Sequence, residues 1–177
     1  MLSVLYPYEY VDSVFVIDYK KLYENGYKAI IFDIDNTLVH HGDDSTEEVD
    51  ELFRYIQSLG LKTFILSNNS DARIKRFLKN IECDYIYDAQ KPNTENYIKA
   101  VERLGVKKEE VIFVGDQIFT DIYGANRSGI PNILVKFIRQ SGETKVGIRR
   151  NVEKVILKLY SWSRRYQKRL GGVQKES

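Results

Sequence analysis

From residue 28 onward, short apolar runs alternate with stretches whose apolar residues recur at helical spacing, the pattern of βαβ units around a parallel sheet. The runs at 29–33, 62–66, 85–87, 111–115 and 132–135 are the strand candidates. Between the first two, Ser45 and Glu48 form a capping-box pattern, and Val49, Leu52, Phe53, Ile56 and Leu59 make one apolar stripe before Gly60 supplies a stop. Ile74, Phe77, Leu78 and Ile81 predict a second helix, and Tyr97, Ile98, Val101 and Leu104, ended by Gly105, a third. A fourth is expected from about 120 to 128. The fold class is therefore α/β, with a parallel sheet flanked by helices.

The ends of the chain read differently. Residues 1–27 carry a weaker pattern, and Val11, Val14, Val16 and Ile17 are expected to pack this segment on the core of a domain spanning 28–140. Near the other end, Ile148, Val152, Val155, Leu159, Trp162 and Tyr166 recur at alternating four- and three-residue steps, which predicts a helix over 148–168 with one apolar and aromatic stripe. This helix lies in a basic amphipathic segment, 145–170, followed by an expected flexible tail at 171–177.

Charge sharpens that picture. The net charge is only +2, yet residues 145–177 hold ten Lys/Arg against two acids, so an acidic body carries a basic end. The stripe could pack on the domain or on a partner subunit with its cations in water, or it could rest on an anionic membrane with Trp162 at the interface. With 177 residues and 43% hydrophobic content the chain can bury one substantial core. A single Cys83 excludes an internal disulfide, and with only His40 and His41 beside it there is no set for structural zinc. No apolar run approaches the roughly 20 residues of a membrane span. The expected location is the cytoplasm, with peripheral contact at the inner face of the membrane as the alternative.

Candidate chemistry gathers where a parallel sheet places ligands, at the carboxyl ends of its strands. The first strand runs into Asp33-Ile34-Asp35-Asn36-Thr37-Leu38, the second into Ser67-Asn68-Asn69 and the fourth into Gly115-Asp116-Gln117 with Asp121 following, while Lys91 comes after the third. One Asp-x-Asp alone could be a turn and one aspartate a helix cap, but four coincident strand ends argue against both. Clustered carboxylates repel one another and need countercharge, which Lys91 and a divalent cation supply. Oxygen ligands without nearby His or Cys favour Mg²⁺. Cys83 has no arginine six residues beyond it and so does not form a thiol phosphatase loop. His40 and His41 are expected to be surface loop residues, and the tyrosines half-buried sheet residues rather than base-stacking ones.

These four motifs, in this order, resemble those of the haloacid dehalogenase superfamily, and the resemblance covers roughly residues 28–135. It implies a Rossmann-like fold in which Asp33 is a nucleophile forming an aspartyl-phosphate. It further implies that Asp35 is the acid and base, with its backbone carbonyl on Mg²⁺, that Ser67, Asn68 and Lys91 hold phosphate, and that Asp116 and Asp121 ligate the metal with Asp33. Dehalogenases of the superfamily lack the second aspartate, so Asp35 implies a phosphatase. About thirty residues separate Asp35 from Ser67, and a predicted helix fills most of them, which leaves no room for a large cap and resembles subclass III. The motif wording is similar to the bacterial YqeG group, which resembles the mitochondrial phosphatidylglycerophosphate phosphatases. Three function classes follow as expectations: a phosphatase of that phospholipid, a phosphatase of a soluble nucleotide or sugar phosphate, or a nucleic-acid or ribosome-associated binder with a vestigial site. Nucleic acid is the least favoured partner, and a homo-oligomer is compatible with the pattern.

Overall fold

The computed structural model describes residues 2–139 and 147–175. Six parallel strands form one sheet: β1 (Glu9–Val11), β2 (Ala29–Phe32), β3 (Lys62–Leu66), β4 (Asp84–Ile86), β5 (Val111–Gly115) and β6 (Asn132–Val135), in the order β1-β6-β5-β2-β3-β4. The five expected strands are all present. β1 is an additional edge strand, three residues long and too short to carry a period of two. Its position is fixed by pairing with β6 and by Glu9, whose carboxylate accepts the N–H groups of Gly172 and Val173.

β2 and β5 are buried along their whole length because helices cover both faces of the sheet. Ile30 and Phe32 pack toward α1 (Tyr19–Glu24), α2 (Glu47–Ser58) and α3 (Asp71–Phe77), while Ala29 and Ile31 pack toward α4 (Thr94–Leu104) and α5 (Tyr123–Ser128). The predicted capping box is replaced at α2 by Thr46, whose hydroxyl accepts the Val49 N–H. Ser45 instead donates to Asp50. The chain runs outward from β2 through β3 to β4, then returns to place β5 on the other side of β2. That reversal opens a crevice between the carboxyl ends of β2 and β5, where such folds bind ligands.

The C-terminal region corrects three expectations. α6 (Ile148–Trp162) stops at Ser163 rather than continuing to 168, and a short 3-10 turn, Arg164–Tyr166, follows it. Its packing face is not the predicted stripe. Glu153, Ile156 and Tyr160 are buried against Tyr6, Ile118, Ile122 and Leu134, whereas Ile148 and Trp162 remain 84% and 69% exposed, with Val152 and Val155 also exposed. The rotation follows from Glu153, which accepts the Ile118 N–H at 2.8 Å, a polar reason for burial that an apolar period cannot register. Nor is the segment after 170 a loose tail as far as Lys175: Val173 is fully buried, its carbonyl accepts the Asp18 N–H, and Lys175 N–H bonds Val16. Lys145 and residues 176–177, which belonged to the predicted basic segment and tail, lie outside the described residues. Among the described residues no helix is long and apolar enough to cross a membrane.

Candidate active site

Asp33 follows β2 directly, and its N–H is anchored on Val114 of the neighbouring β5, so the two strand ends hold a fixed distance. Lys91, buried after β4, donates from Nζ to Asp33 Oδ1 and to Asp121 Oδ1, both at 2.7 Å. Asp121 sits on a π-helical turn, Ile118–Ile122, whose wider coil brings the carboxylate back beneath β5. There its Oδ2 accepts the N–H groups of Asp116 and Gln117. Gly115 permits this approach, since a Cβ there would lie 2.5 Å from the Asp121 carboxyl carbon. The hydroxyl of Thr37 lies 3.3 Å from Asp33 Oδ2 and 3.1 Å from Asp116 Oδ1.

Asp33, Asp116 and Asp121 thus form a buried group with carboxylate oxygens within 4.8 Å of one another. Burial pushes Asp33 up to about 6, with Asp121 and Asp35 adding to the rise and Lys91 opposing it. Burial likewise pushes Asp116 up to about 8, reinforced by Asp121 and Asp33. Lys91 is held well above its ordinary value because Asp121 and Asp33 outweigh the burial that would lower it. The aspartates therefore hold more negative charge than this environment offsets. Oxygen donors alone, clustered and short of countercharge, suit a hard divalent cation.

A second set of donors surrounds Asp35. Its Oδ1 accepts from Gly42 N at 3.1 Å and Arg73 Nη2 at 3.0 Å, and its Oδ2 accepts from Asn69 Nδ2 at 2.6 Å. His41 Nδ1 is 3.4 Å from Oδ2. Partial burial would raise this carboxyl, but the bonds from Gly42 and Asn69, with Arg73 and His41, hold it below the usual carboxylate range. Ser67 is fully buried at the end of β3, and its Oγ accepts from Asn69, which thereby links it to Asp35. Asn68 is engaged with the main chain of Lys91, accepting its N–H at 2.8 Å, and so helps place the lysine.

Besides Arg73, three participants carry no signal of their own in the sequence. Thr37 and Asn69 were visible inside the motifs but carried no separate signal. Arg150 of α6 bonds the carbonyl of Asp116 at 2.7 Å, pairs with its Oδ2 and with Glu153, and lies 4.5 Å over the Phe137 ring. No spacing links it to the motifs; only the docking of α6 brings it there. Beside Asp116 opens a cavity of about 200 Å³, with Ile118, Leu134, Phe137 and Leu157 among its apolar lining and Lys136 and Lys154 among its cations. A larger cavity, about 710 Å³, lies at the opposite, amino-terminal end of β3 around Gly60, Thr63 and Cys83. Burial pushes the Cys83 thiol up to about 12, so that cavity offers no thiolate nucleophile.

The chain is similar to several known proteins. The family model described as haloacid dehalogenase-like hydrolase matches residues 40–129, about half of the chain. The "Probable phosphatase YqeG" of Bacillus subtilis is 38% identical over 152 residues, covering 85% of this chain and 88% of that protein. "Phosphatidylglycerophosphate phosphatase 1, chloroplastic/mitochondrial" of Arabidopsis thaliana is 25% identical over 77% of this chain but only 42% of its own length. Among solved structures, a protein from Listeria monocytogenes serotype 4b superposes with a TM-score of 0.54 at 22% identity, over 76% of this chain and 99% of that one. A family model that matches about half of the chain, together with a relative 38% identical over most of both lengths, shows that the chain belongs to the haloacid dehalogenase-like hydrolase family.

Proposed function

We propose that this protein is a Mg²⁺-dependent phosphomonoester phosphatase working through transient phosphorylation of Asp33. The observation that carries the reading is Lys91, buried and bonded at once to Asp33 and Asp121 beside Asp116. Asp33 Oδ1 is held by the lysine at 2.7 Å and Oδ2 only by the longer 3.3 Å contact from Thr37, so Oδ2 is assigned as the oxygen that attacks phosphorus in line. As the ester P–O bond breaks, Asp35, whose carboxyl the negative charge of the bound phosphate raises from its low value in the free site, delivers a proton to the departing oxygen. Asp35 then takes a proton from water, which attacks the aspartyl-phosphate and releases inorganic phosphate and the Asp33 carboxylate. Lys91 and the Ser67 hydroxyl receive phosphate oxygens, and Asn68 and Asn69 hold those two groups in place. Asp33, Asp116 and Asp121, with the Asp35 carbonyl, are the groups that would hold Mg²⁺, which would neutralise charge on the phosphate.

The test is phosphate release from 4-nitrophenyl phosphate. Activity is expected with Mg²⁺, to vanish in excess chelator and to return when Mg²⁺ is restored; full activity in chelator would sink the metal assignment. Ca²⁺, which prefers more ligands and looser geometry, is expected to inhibit.

The favoured substrate is phosphatidylglycerophosphate presented at a membrane surface. The exposed row Ile148, Val152, Val155 and Trp162, with Arg149, Lys154 and Lys158 on the same helix and Arg164 and Arg165 after it, supports that choice. Each basic side chain near an anionic surface contributes on the order of 1 kcal/mol, so a few suffice for appreciable partitioning. The protein is expected to sediment with anionic vesicles at low salt and less so at physiological salt, and to ignore neutral ones. Indifference to vesicle charge would remove the membrane contact. Faster turnover of soluble nucleotide or sugar phosphates than of the micellar lipid would remove the lipid.

A further inference from the structure

We infer that Arg73 is a positioning residue for Asp35, holding the proton-carrying carboxyl and the loop at 40–44 in one arrangement. The inference rests on the reading of Asp35 as the acid and names a residue outside the four motifs.

Arg73 lies in the first turns of α3, and its guanidinium is nearly covered, with a side chain only 11% exposed. From one nitrogen, Nη2, it donates to Asp35 Oδ1 at 3.0 Å and to the Asp43 carbonyl at 2.6 Å. The loop meets the same carboxylate oxygen through Gly42 N at 3.1 Å. One helical turn on, Arg76 repeats the grip: Nη2 donates to the Gly42 carbonyl at 2.7 Å and Nε to Asp44 at 2.5 Å. Two arginines at i and i+3 thus share one helix face and close on one loop. Arg73 Nε and Nη1 are buried with no hydrogen-bond partner among the described residues. The bonded nitrogen, Nη2, is thus engaged by the acid and by its loop together.

The consequence concerns the first half-reaction. A bond forms between Asp33 and phosphorus while the ester P–O bond breaks, and the proton passes from Asp35 to the departing oxygen. Transfer requires hydrogen-bond reach, about 2.6–3.2 Å, which a carboxyl free to turn about its own two torsions meets only part of the time. The need for that proton scales with the basicity of the leaving group. An alkoxide cannot depart without it, whereas 2,4-dinitrophenolate leaves unaided.

The experiment compares kcat/KM for propyl phosphate and for 2,4-dinitrophenyl phosphate in the wild type, Arg73→Gln and Arg73→Lys. This ratio reports only steps up to departure of the leaving group, so slow hydrolysis of the phosphoenzyme does not blur it. Arg73→Gln is expected to lose roughly 100-fold on propyl phosphate, within the range of general acid catalysis, and less than about 5-fold on the activated ester. Arg73→Lys, a point charge without the planar fork, is expected to fall between and carries the test if the glutamine variant fails to fold. Equal losses on the two esters, or none on either, overturn the inference while leaving the phosphatase reading intact. A wild type that hydrolyses neither ester overturns that reading, and this inference with it.

Discussion

Asp33→Asn is expected to abolish turnover, with a loss on the order of 10⁴-fold or more, and to leave no phosphorylated protein in mass spectra of the acid-quenched reaction. An amide nitrogen or oxygen is a far weaker nucleophile than a carboxylate, and the substitution also removes one anionic oxygen from a group of three. The fold should survive, because asparagine fills the same space and Lys91 keeps its 2.7 Å bond to Asp121. A thermal unfolding midpoint near the wild-type value alongside lost activity is therefore the expected pair of results. Asparagine at this position with ordinary activity would show that phosphorus is attacked by some other group, and the aspartyl-phosphate would have to be given up.

Much of this site was legible in the sequence because its parts sit at the ends of apolar runs. β2, β3, β5 and β6 are continuous hydrophobic stretches, and a parallel sheet fixes which end of each strand faces the ligand. Once those strands were recognised, Asp33, Ser67 and Asp116 followed, and Lys91 and Asp121 were recoverable from order alone. What escaped depends on polar bonds between distant segments. β1 exists because Glu9 caps the chain at Gly172 and Val173, and α6 presents Glu153 inward because the N–H of Ile118 needs an acceptor. Arg150 reaches Asp116 only after that rotation. Arg73 and Arg76 read as ordinary basic residues of a short helix until the loop at 40–44 folds against them.

Lys91→Ala is the second substitution with a large expected effect, and it acts on stability and chemistry together. The ammonium is buried among carboxylates, and removing one partner of a buried pair typically costs about 3–5 kcal/mol because the remaining charge has no compensation. Here two partners are left, Asp33 and Asp121, beside an Asp116 already pushed up to about 8. Asp33, pushed up to about 6 with the lysine in place, must rise further without it. The sign follows: for a carboxyl whose folded value exceeds its unfolded value, the penalty builds as pH rises from the unfolded value through the folded one. Chemical unfolding should accordingly show the metal-free variant much weaker than wild type at pH 8 and closer to it at pH 5. Added Mg²⁺ should raise its midpoint more than that of the wild type, since a bound cation then offsets charge that the lysine no longer does. Turnover with Mg²⁺ should fall by roughly 10²- to 10³-fold, the usual cost of losing one fixed group that stabilises transferring phosphate oxygens. A variant with the wild-type midpoint at both pH values and undiminished turnover would mean that the carboxylates balance their charge without Lys91, and the central observation behind the phosphatase reading would lose its force.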